Sequence, residues 1–152
     1  MSLELREFRV EDYLEINRRK FEMLTFLQFP DAKEVAKRLA MGPAYTIANS
    51  ASIIASGGIV PFWKNVGEAW IVSSESLPQH KFYFIKTVLK KLQELGRNYD
   101  RIQTTIDAEN VVSMKWAEWI GFECEGDPKT GVGLMRKFIG GRDYWRYALV
   151  RS

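Results

Sequence analysis

A long amphipathic segment between two strand-like segments constrains the fold of this chain more than any other feature of its sequence. Between residues 78 and 95, large apolar side chains recur every three or four positions, which predicts a helix with one buried face: Phe82, Ile85, Leu89, Leu92 and Leu95. Residues 68–73 before this helix and residues 101–106 after it have the composition of strands. A strand–helix–strand unit of this kind predicts two parallel strands in the same sheet.

The other segments predict a sheet that is mostly antiparallel. Residues 44–48, 52–60 and 68–73 form three strand-like runs separated by short turns, and consecutive strands of this kind usually pair in antiparallel fashion. Further elements are predicted as strands at residues 3–8, 122–125 and 133–138 and as helices at residues 12–23, 31–39 and 110–119. The predicted fold class is therefore α/β (α+β mixed), with about seven strands in one twisted sheet and about four helices on its faces.

Composition limits the classes of protein to which the chain can belong. Its 152 residues are enough for one domain, and 22 Lys and Arg against 19 Asp and Glu give a formal net charge of +3. Acidic and basic residues interleave along the chain, so nucleic acid is not an expected partner. The single Cys124 excludes an internal disulfide, and a His-based metal site is not expected because His80 is the only His. The sequence contains no candidate membrane span and no secretion signal, so we expect a soluble, cytoplasmic protein.

Residues 110–122 have the spacing of a capped helix that ends at a glycine. Asn110 is a suitable N-cap, and eleven positions later Gly121 can adopt the left-handed conformation that ends a helix before Phe122. This segment resembles the signature of the GNAT N-acetyltransferase family, with Ser113 at a position where many members have Ala. The order of the predicted elements also resembles that family over nearly the whole chain.

The resemblance implies an enzyme that transfers an acetyl group from acetyl-CoA to an amine of a small molecule or a protein. In the family, the strand that matches residues 68–73 lies along the pantetheine arm, and the helix after it directs its N-terminus at the pyrophosphate. Carried over to this sequence, the cofactor-binding residues are Ile71, Val72, Ser73, Gln79, His80, Lys81, Asn110 and Ser113. The acceptor is expected near the first two helices.

The sequence departs from the family at two functional positions. Where the family has small residues beside the pyrophosphate, this chain has Phe82 and Phe84, and a benzyl side chain obstructs the approach of a phosphate to the backbone. Ala117 stands where many relatives have a Tyr that is thought to protonate the leaving thiolate. Glu68 and Glu75 are the candidates for the base that takes a proton from the amine, because they bracket the strand assigned to the cofactor.

A narrower resemblance keeps a non-catalytic alternative open. Residues 70–74, 99–100 and 110–121 resemble GNAT-like proteins of tailed phages, some of which are internal virion or head-assembly proteins. This resemblance implies a phage or prophage protein that is virion-associated and contacts phage structural proteins. Residues 1–139 are assigned to the GNAT-like acyltransferase domain. Residues 140–152, which mix aromatic residues with Arg, are assigned to a C-terminal extension that forms an interface or an added edge strand.

Overall fold

The computed structural model describes residues 2–151, and within this range the chain forms eight strands and five α-helices. The strands are β1 (Glu4–Glu7), β2 (Ala44–Ala48), β3 (Ile53–Trp63), β4 (Val66–Ser73), β5 (Arg101–Asp107), β6 (Glu123–Cys124), β7 (Met135–Ile139) and β8 (Arg142–Val150). The helices are α1 (Val10–Glu15), α2 (Lys20–Phe26), α3 (Ala32–Leu39), α4 (Lys81–Leu95) and α5 (Val111–Ile120). Short 3-10 turns at Leu77–His80 and Gly96–Asn98 flank α4. Residues 1 and 152 of the two expected domain ranges lie outside the described residues.

The eight described strands form one sheet with a single parallel pair. The order across the sheet is β1-β2-β3-β4-β5-β8-β6, and β7 pairs with β8. The pair of β4 and β5 is parallel because α4 carries the chain back between them, whereas the other pairings are antiparallel. These pairings confirm the mixed, mostly antiparallel sheet, with one more strand and one more helix than the sequence predicts.

The helices cover the sheet in two layers. On the face covered by α1 to α3, a buried cluster forms around Tyr13, Ile16, Ala36 and Val72. On the face covered by α4 and α5, a second cluster contains Ile59, Ile102, Ala117, Ile120, Phe122, Trp145 and Tyr147. Along β4, Val72 packs in the first cluster and Ala69 against the second, as the alternation of side chains across a strand requires.

The helix expected at residues 12–23 is interrupted. The chain leaves α1 at Ile16, which has extended backbone angles (φ −60°, ψ 136°), and it re-enters helical conformation at Lys20. Between the two helices, Arg18 forms an isolated antiparallel bridge with Ser74, and the amide of Arg19 donates to the carbonyl of Ser73 at 3.2 Å. The helix breaks because this segment satisfies its backbone groups on the end of β4 instead of within a helical turn.

The segment expected as a C-terminal extension is part of the sheet. β8 lies between β5 on one side and β6 and β7 on the other, so it is not an added edge strand. Trp145 and Tyr147 are buried in the core. Gly140 and Gly141 have positive φ angles of 59° and 75°, which allows a two-residue turn that returns the chain directly from β7 into β8.

The described residues contain neither a helix that could span a membrane nor a cluster of metal-ligating side chains. None of the helices in residues 2–151 is long and apolar enough to cross a membrane. The same range contains no group of three or more His, Cys, Asp or Glu side chains placed to hold a metal ion.

Candidate active site

β4 and β5 lie side by side only over their first residues. The paired residues are Val66 with Arg101, Gly67 with Ile102, and Glu68 with Gln103. Beyond this point each strand stays paired on its outer side, β4 with β3 as far as Ser73 and β5 with β8 as far as Asp107. The two strands therefore diverge and leave a wedge-shaped opening in the sheet, here called the gap. Its closed end is at Glu68 and its open end is at Ser73.

The edge of β4 that borders the gap presents backbone groups to it. The amide of Ser74 donates to the carbonyl of Ile54 on β3 at 2.9 Å, and in an antiparallel ladder only every second residue bonds to a given neighbour. Val72 therefore bonds to β3, whereas Ile71 and Ser73 direct their N–H and C=O groups into the gap. An extended ligand that lies along this edge can pair with the backbone of Ile71, as a peptide pairs with an edge strand.

A cavity of about 410 Å³ occupies the gap and is lined from both faces of the sheet. On the face covered by α4 and α5, its lining includes Phe84, Trp116 and Ala117. From the other side, Glu22 and Thr25 of α2 reach the same cavity. Because one cavity is open to both layers, two ligands can approach from opposite faces and meet between the diverging strands.

Glu68 lines the cavity at the closed end of the gap. The side-chain amide of Gln103 donates to Oε1 of Glu68 at 3.3 Å, and a guanidinium nitrogen of Arg146 lies 4.0 Å from the same oxygen. Burial raises the pKa of Glu68 above its ordinary value, although Gln103, Arg146 and Arg101 act in the opposite direction. A carboxylate with a raised pKa beside a cavity is suited to accept a proton from an amine.

The other sequence-predicted base, Glu75, lies elsewhere. It is exposed in the turn that follows β4, and it borders a polar surface groove near residues 49–52 and Gln79. Glu75 is not among the residues that line the cavity in the gap. The structure therefore brings only one of the two predicted carboxylates to the cavity.

Glu22 is a cavity residue that the sequence did not indicate. Its Oε1 accepts hydrogen bonds from both the amide (3.2 Å) and the hydroxyl of Ser73, while its Oε2 is buried and has no hydrogen-bond partner within residues 2–151. Burial is the main cause that raises the pKa of Glu22, and the bonds from Ser73 and the charge of Arg19 oppose it. A continuous helix at residues 12–23 would not place Glu22 at the end of β4, so no periodicity in the sequence points to it.

Residues 18–22, here called the strap, cross the open end of the gap. Arg18 is buried, and its guanidinium lies over the rings of Tyr13 (4.5 Å) and Phe26 (3.8 Å). The guanidinium of Arg19 lies 5.4 Å from the ring centroid of Trp116, a residue of α5. The strap therefore contacts both helical layers and the end of β4.

The residues expected to bind the cofactor pyrophosphate lie around the start of α4. The 3-10 turn Leu77–His80 runs directly into α4, and the amide of Gln79 within it already donates to the carbonyl of Ser76 at 3.2 Å. His80 is the residue before α4 and makes no side-chain cap, and the ammonium of Lys81 lies 5.3 Å from the ring centroid of Phe82. None of these three predicted residues lines the cavity in the gap.

The two Phe residues in the first turn of α4 have different environments. The side chain of Phe82 is 80% exposed, so its ring lies on the surface beside the first turn of α4. Phe84 is 4% exposed, and its ring packs 5.6 Å from that of Trp116 within the core. Only the ring of Phe82 therefore stands on the surface, where a phosphate would approach the start of the helix.

The start of α5 has the local structure that the sequence predicts. The side-chain oxygen of Asn110 accepts a hydrogen bond from the amide of Ser113 at 3.2 Å, and Gly121 ends the helix with a φ of 112°. Asn110, Ser113 and Ala117 line the cavity. Ala117 has no proton to donate to a leaving group. Tyr144 also lines the cavity, and its hydroxyl lies 3.0 Å from that of Thr25.

Comparison with known proteins identifies the fold. No protein-family model and no curated protein matches the sequence. An acetyltransferase of the GNAT family from Bacillus anthracis has a solved structure that superimposes with a TM-score of 0.67, at 16% identity, over 97% of this chain and 94% of that one. This chain has the fold of the GNAT acetyltransferases.

Two further solved structures share this fold. Spermidine N-acetyltransferase from Vibrio cholerae, in complex with CoA and spermine, matches with a TM-score of 0.68 at 17% identity, over 98% of this chain and 95% of that one. Ribosomal-protein-S18-alanine N-acetyltransferase from Escherichia coli matches with a TM-score of 0.69 at 12% identity, over 99% of this chain and 95% of that one. One of these enzymes is named for a small polyamine and the other for a protein.

Proposed function

We propose that this protein is an N-acyltransferase that transfers an acetyl group from acetyl-CoA to an amine. The observation that carries the proposal is the cavity in the gap, which is lined from both faces of the sheet and bordered by the backbone of Ile71. The pantetheine arm of acetyl-CoA is an extended chain of two amides, which suits pairing with this edge of β4. The amine then enters from the side of α2 and meets the thioester between the strands.

The proposed reaction forms one bond, breaks one bond and transfers one proton. The amine nitrogen forms a bond to the thioester carbonyl carbon, the C–S bond breaks, and the CoA sulfur leaves as a thiolate. Glu68 takes a proton from the amine, directly or through a water molecule, because its carboxylate borders the cavity and burial raises its pKa. A thiolate is a stable leaving group in water and takes up a proton from solvent after it has left, so Ala117 in place of a proton donor does not prevent the transfer.

Holding the two reactants together accounts for much of the expected rate. Well-oriented reactants reach effective concentrations on the order of 10⁵ M or more, which lowers the barrier without any acid or base. The acceptor class that we propose is a primary amine of a small molecule or of a protein N-terminus. The spermidine and ribosomal-protein enzymes that share this fold support both possibilities.

A second function has support from two specific residues. Ala117 and the exposed ring of Phe82 replace residues that assist catalysis and phosphate binding in the family, which favours a protein that keeps the fold without the reaction. The GNAT-like virion and assembly proteins of tailed phages are the class with this property that the sequence resembles. The solved structures compared above are acetyltransferases, so they do not support a phage origin.

Thermal unfolding with and without acetyl-CoA separates the two functions. A ligand present at 100 times its dissociation constant stabilises the folded state by about 2.7 kcal/mol, which raises the Tm of a chain of this length by about 5 to 10 °C. We expect such a rise in Tm. In a separate assay of CoA release, we expect acetyl transfer to spermidine or to a peptide with an N-terminal Ala. No rise at millimolar acetyl-CoA, together with no transfer, would support the non-catalytic protein.

A further inference from the structure

The strap already engages the amide, the carbonyl and the hydroxyl of Ser73 at the open end of the gap. Its carbonyl accepts from the amide of Arg19 (3.2 Å), and its amide and hydroxyl both donate to the carboxylate of Glu22. Next to it, Arg18 forms a backbone bridge with Ser74. The strap thus occupies the part of the β4 edge that continues from Ile71.

The strap is also fixed to the opposite helical layer. The guanidinium of Arg19 lies over the ring of Trp116, and that ring packs against Phe84 of α4. Trp116 and Phe84 both line the cavity, as do Arg19 and Glu22. A line of contacts therefore runs from the strap through α5 to α4 across the open end of the gap.

The closed arrangement leaves a carboxylate oxygen of the strap unsatisfied. Oε2 of Glu22 is buried and has no hydrogen-bond partner among the described residues, although Oε1 has two. A buried carboxylate oxygen without a donor opposes the arrangement that buries it. The closed strap therefore contains an unsatisfied buried group, and this lowers the free energy needed to displace the strap from Ser73.

We infer that the strap closes the gap in the free protein and that acyl-CoA must displace it from Ser73 in order to bind. This inference rests on the proposed function, because it assumes that the pantetheine arm lies along β4. Two extended partners cannot pair with the same backbone groups of Ser73, so the arm and the strap compete. The measured affinity for CoA is then the intrinsic affinity reduced by the fraction of molecules in which the strap is open.

A pair of substitutions at Glu22 separates this competition from simple charge repulsion. Glu22→Ala removes the acceptor of both bonds from Ser73, and we expect it to tighten the binding of CoA about tenfold, measured by calorimetry on the full chain. Glu22→Gln removes the negative charge but keeps a carbonyl oxygen for Ser73, so we expect an affinity close to that of the wild-type protein. If Glu22→Gln tightens CoA binding as much as Glu22→Ala does, repulsion between the charge of Glu22 and CoA limits the affinity, and competition with the strap does not.

Hydrogen exchange at the amide of Arg19 gives a second readout that does not depend on affinity. This amide bonds to Ser73 in the closed strap, so its exchange should become faster in Glu22→Ala and in the wild-type protein saturated with CoA. An amide that stays protected when CoA is bound would overturn the inference. Should Glu22→Ala not fold, Ser73→Ala removes only the hydroxyl bond and is expected to tighten binding in the same direction by a smaller factor.

The outcomes distinguish the failure of this inference from the failure of the proposed function. If the wild-type protein binds CoA and Glu22→Ala binds it equally or more weakly, the strap is not a barrier but the acyltransferase proposal stands. If only Glu22→Ala binds CoA, the strap is confirmed as a barrier. If neither protein binds CoA, both proposals are wrong.

Discussion

The two ends of the gap are built in different ways. At the closed end, the backbones of β4 and β5 pair directly, and Glu68 and Gln103 extend this pairing through their side chains. At the open end, Ser73 has no partner strand on that edge, and one backbone bond from Arg19 and the carboxylate of Glu22 take its place. Each end thus holds one partly buried carboxylate with a raised pKa, but only the closed end is built from a continuous ladder.

This difference indicates which end is rigid. The closed end includes Ile102 of β5, whose side chain is 2% exposed and packs in the core under α4 and α5. A β-carbon placed on Gly67 would come within 2.4 Å of a side-chain carbon of Ile59 and 2.9 Å of the Tyr99 ring, so the packing there leaves no space. The open end depends on the strap, which consists of the end of the break after α1 and the first turn of α2. The proposed acyl transfer therefore places its chemical step at the fixed end and the entry of the ligand at the other.

The largest expected effect is on turnover at the closed end. Glu68→Gln keeps the size of the side chain but removes the proton acceptor, so we expect acetyl transfer to slow about 10²- to 10⁴-fold while CoA affinity is retained. Because burial raises the pKa of Glu68, the wild-type rate should fall with decreasing pH at a pH above the ordinary value of 4.5. Glu75→Gln provides the comparison, since Glu75 does not line the cavity and its replacement should leave turnover near the wild-type value. Full activity in Glu68→Gln would exclude Glu68 as the base.

The second effect is on the stability of the closed end. Ile102→Ala removes a buried side chain beneath the paired part of β4 and β5, and we expect the free energy of unfolding to fall by about 2 to 5 kcal/mol. Val150→Ala is the matched control on the adjacent strand β8, because Val150 is 62% exposed and its loss should cost less than about 0.5 kcal/mol. Denaturant unfolding measures both variants. Equal losses would mean that the closed end is not the rigid part of the gap.

Much of the closed end could be predicted from the sequence, whereas the open end could not. The strand–helix–strand pattern at residues 68–106 predicts the parallel pair, and the cap at Asn110 and the stop at Gly121 define α5. The strap was not predictable, because apolar residues in the range 12–23 fit a single helix and its break at Ile16 is set by contacts with Ser73 and Ser74, far away in the sequence. Local periodicity carries no information about such long-range pairing.

The position of β8 could have been predicted from one signal in the sequence. Gly140 and Gly141 stand between two segments with strand character, and a pair of glycines there is typical of a two-residue hairpin turn. The hairpin returns the chain into the sheet, where Tyr144 reaches the cavity. The assignment of residues 140–152 to an extension is therefore wrong, because it leaves the cavity residue Tyr144 outside the domain.

A smaller effect is expected on the pH dependence of stability at the open end. In the folded protein the pKa of Glu22 is raised above 4.5, so folding favours its protonated form, and the stability gained at low pH is lost as pH rises from 4.5 through the folded-state pKa. Glu22→Gln does not titrate. The free energy of unfolding of this variant minus that of the wild-type protein should therefore increase over this pH range and then level off. A difference that is constant or decreases with pH, measured by denaturant unfolding, would contradict the raised pKa.

The smallest expected effect concerns the surface beside the open end. Because the ring of Phe82 is 80% exposed, Phe82→Ala should change stability by less than about 0.5 kcal/mol, whereas Phe84→Ala removes a core ring and should cost about 3 to 5 kcal/mol. Phe82 is thus the substitution that tests phosphate access without damage to the fold. If its ring obstructs the phosphates of CoA, Phe82→Ala should tighten CoA binding and leave the binding of pantetheine, which lacks the pyrophosphate, unchanged. Equal effects on CoA and pantetheine would instead place Phe82 beside the arm and move the phosphates away from the start of α4.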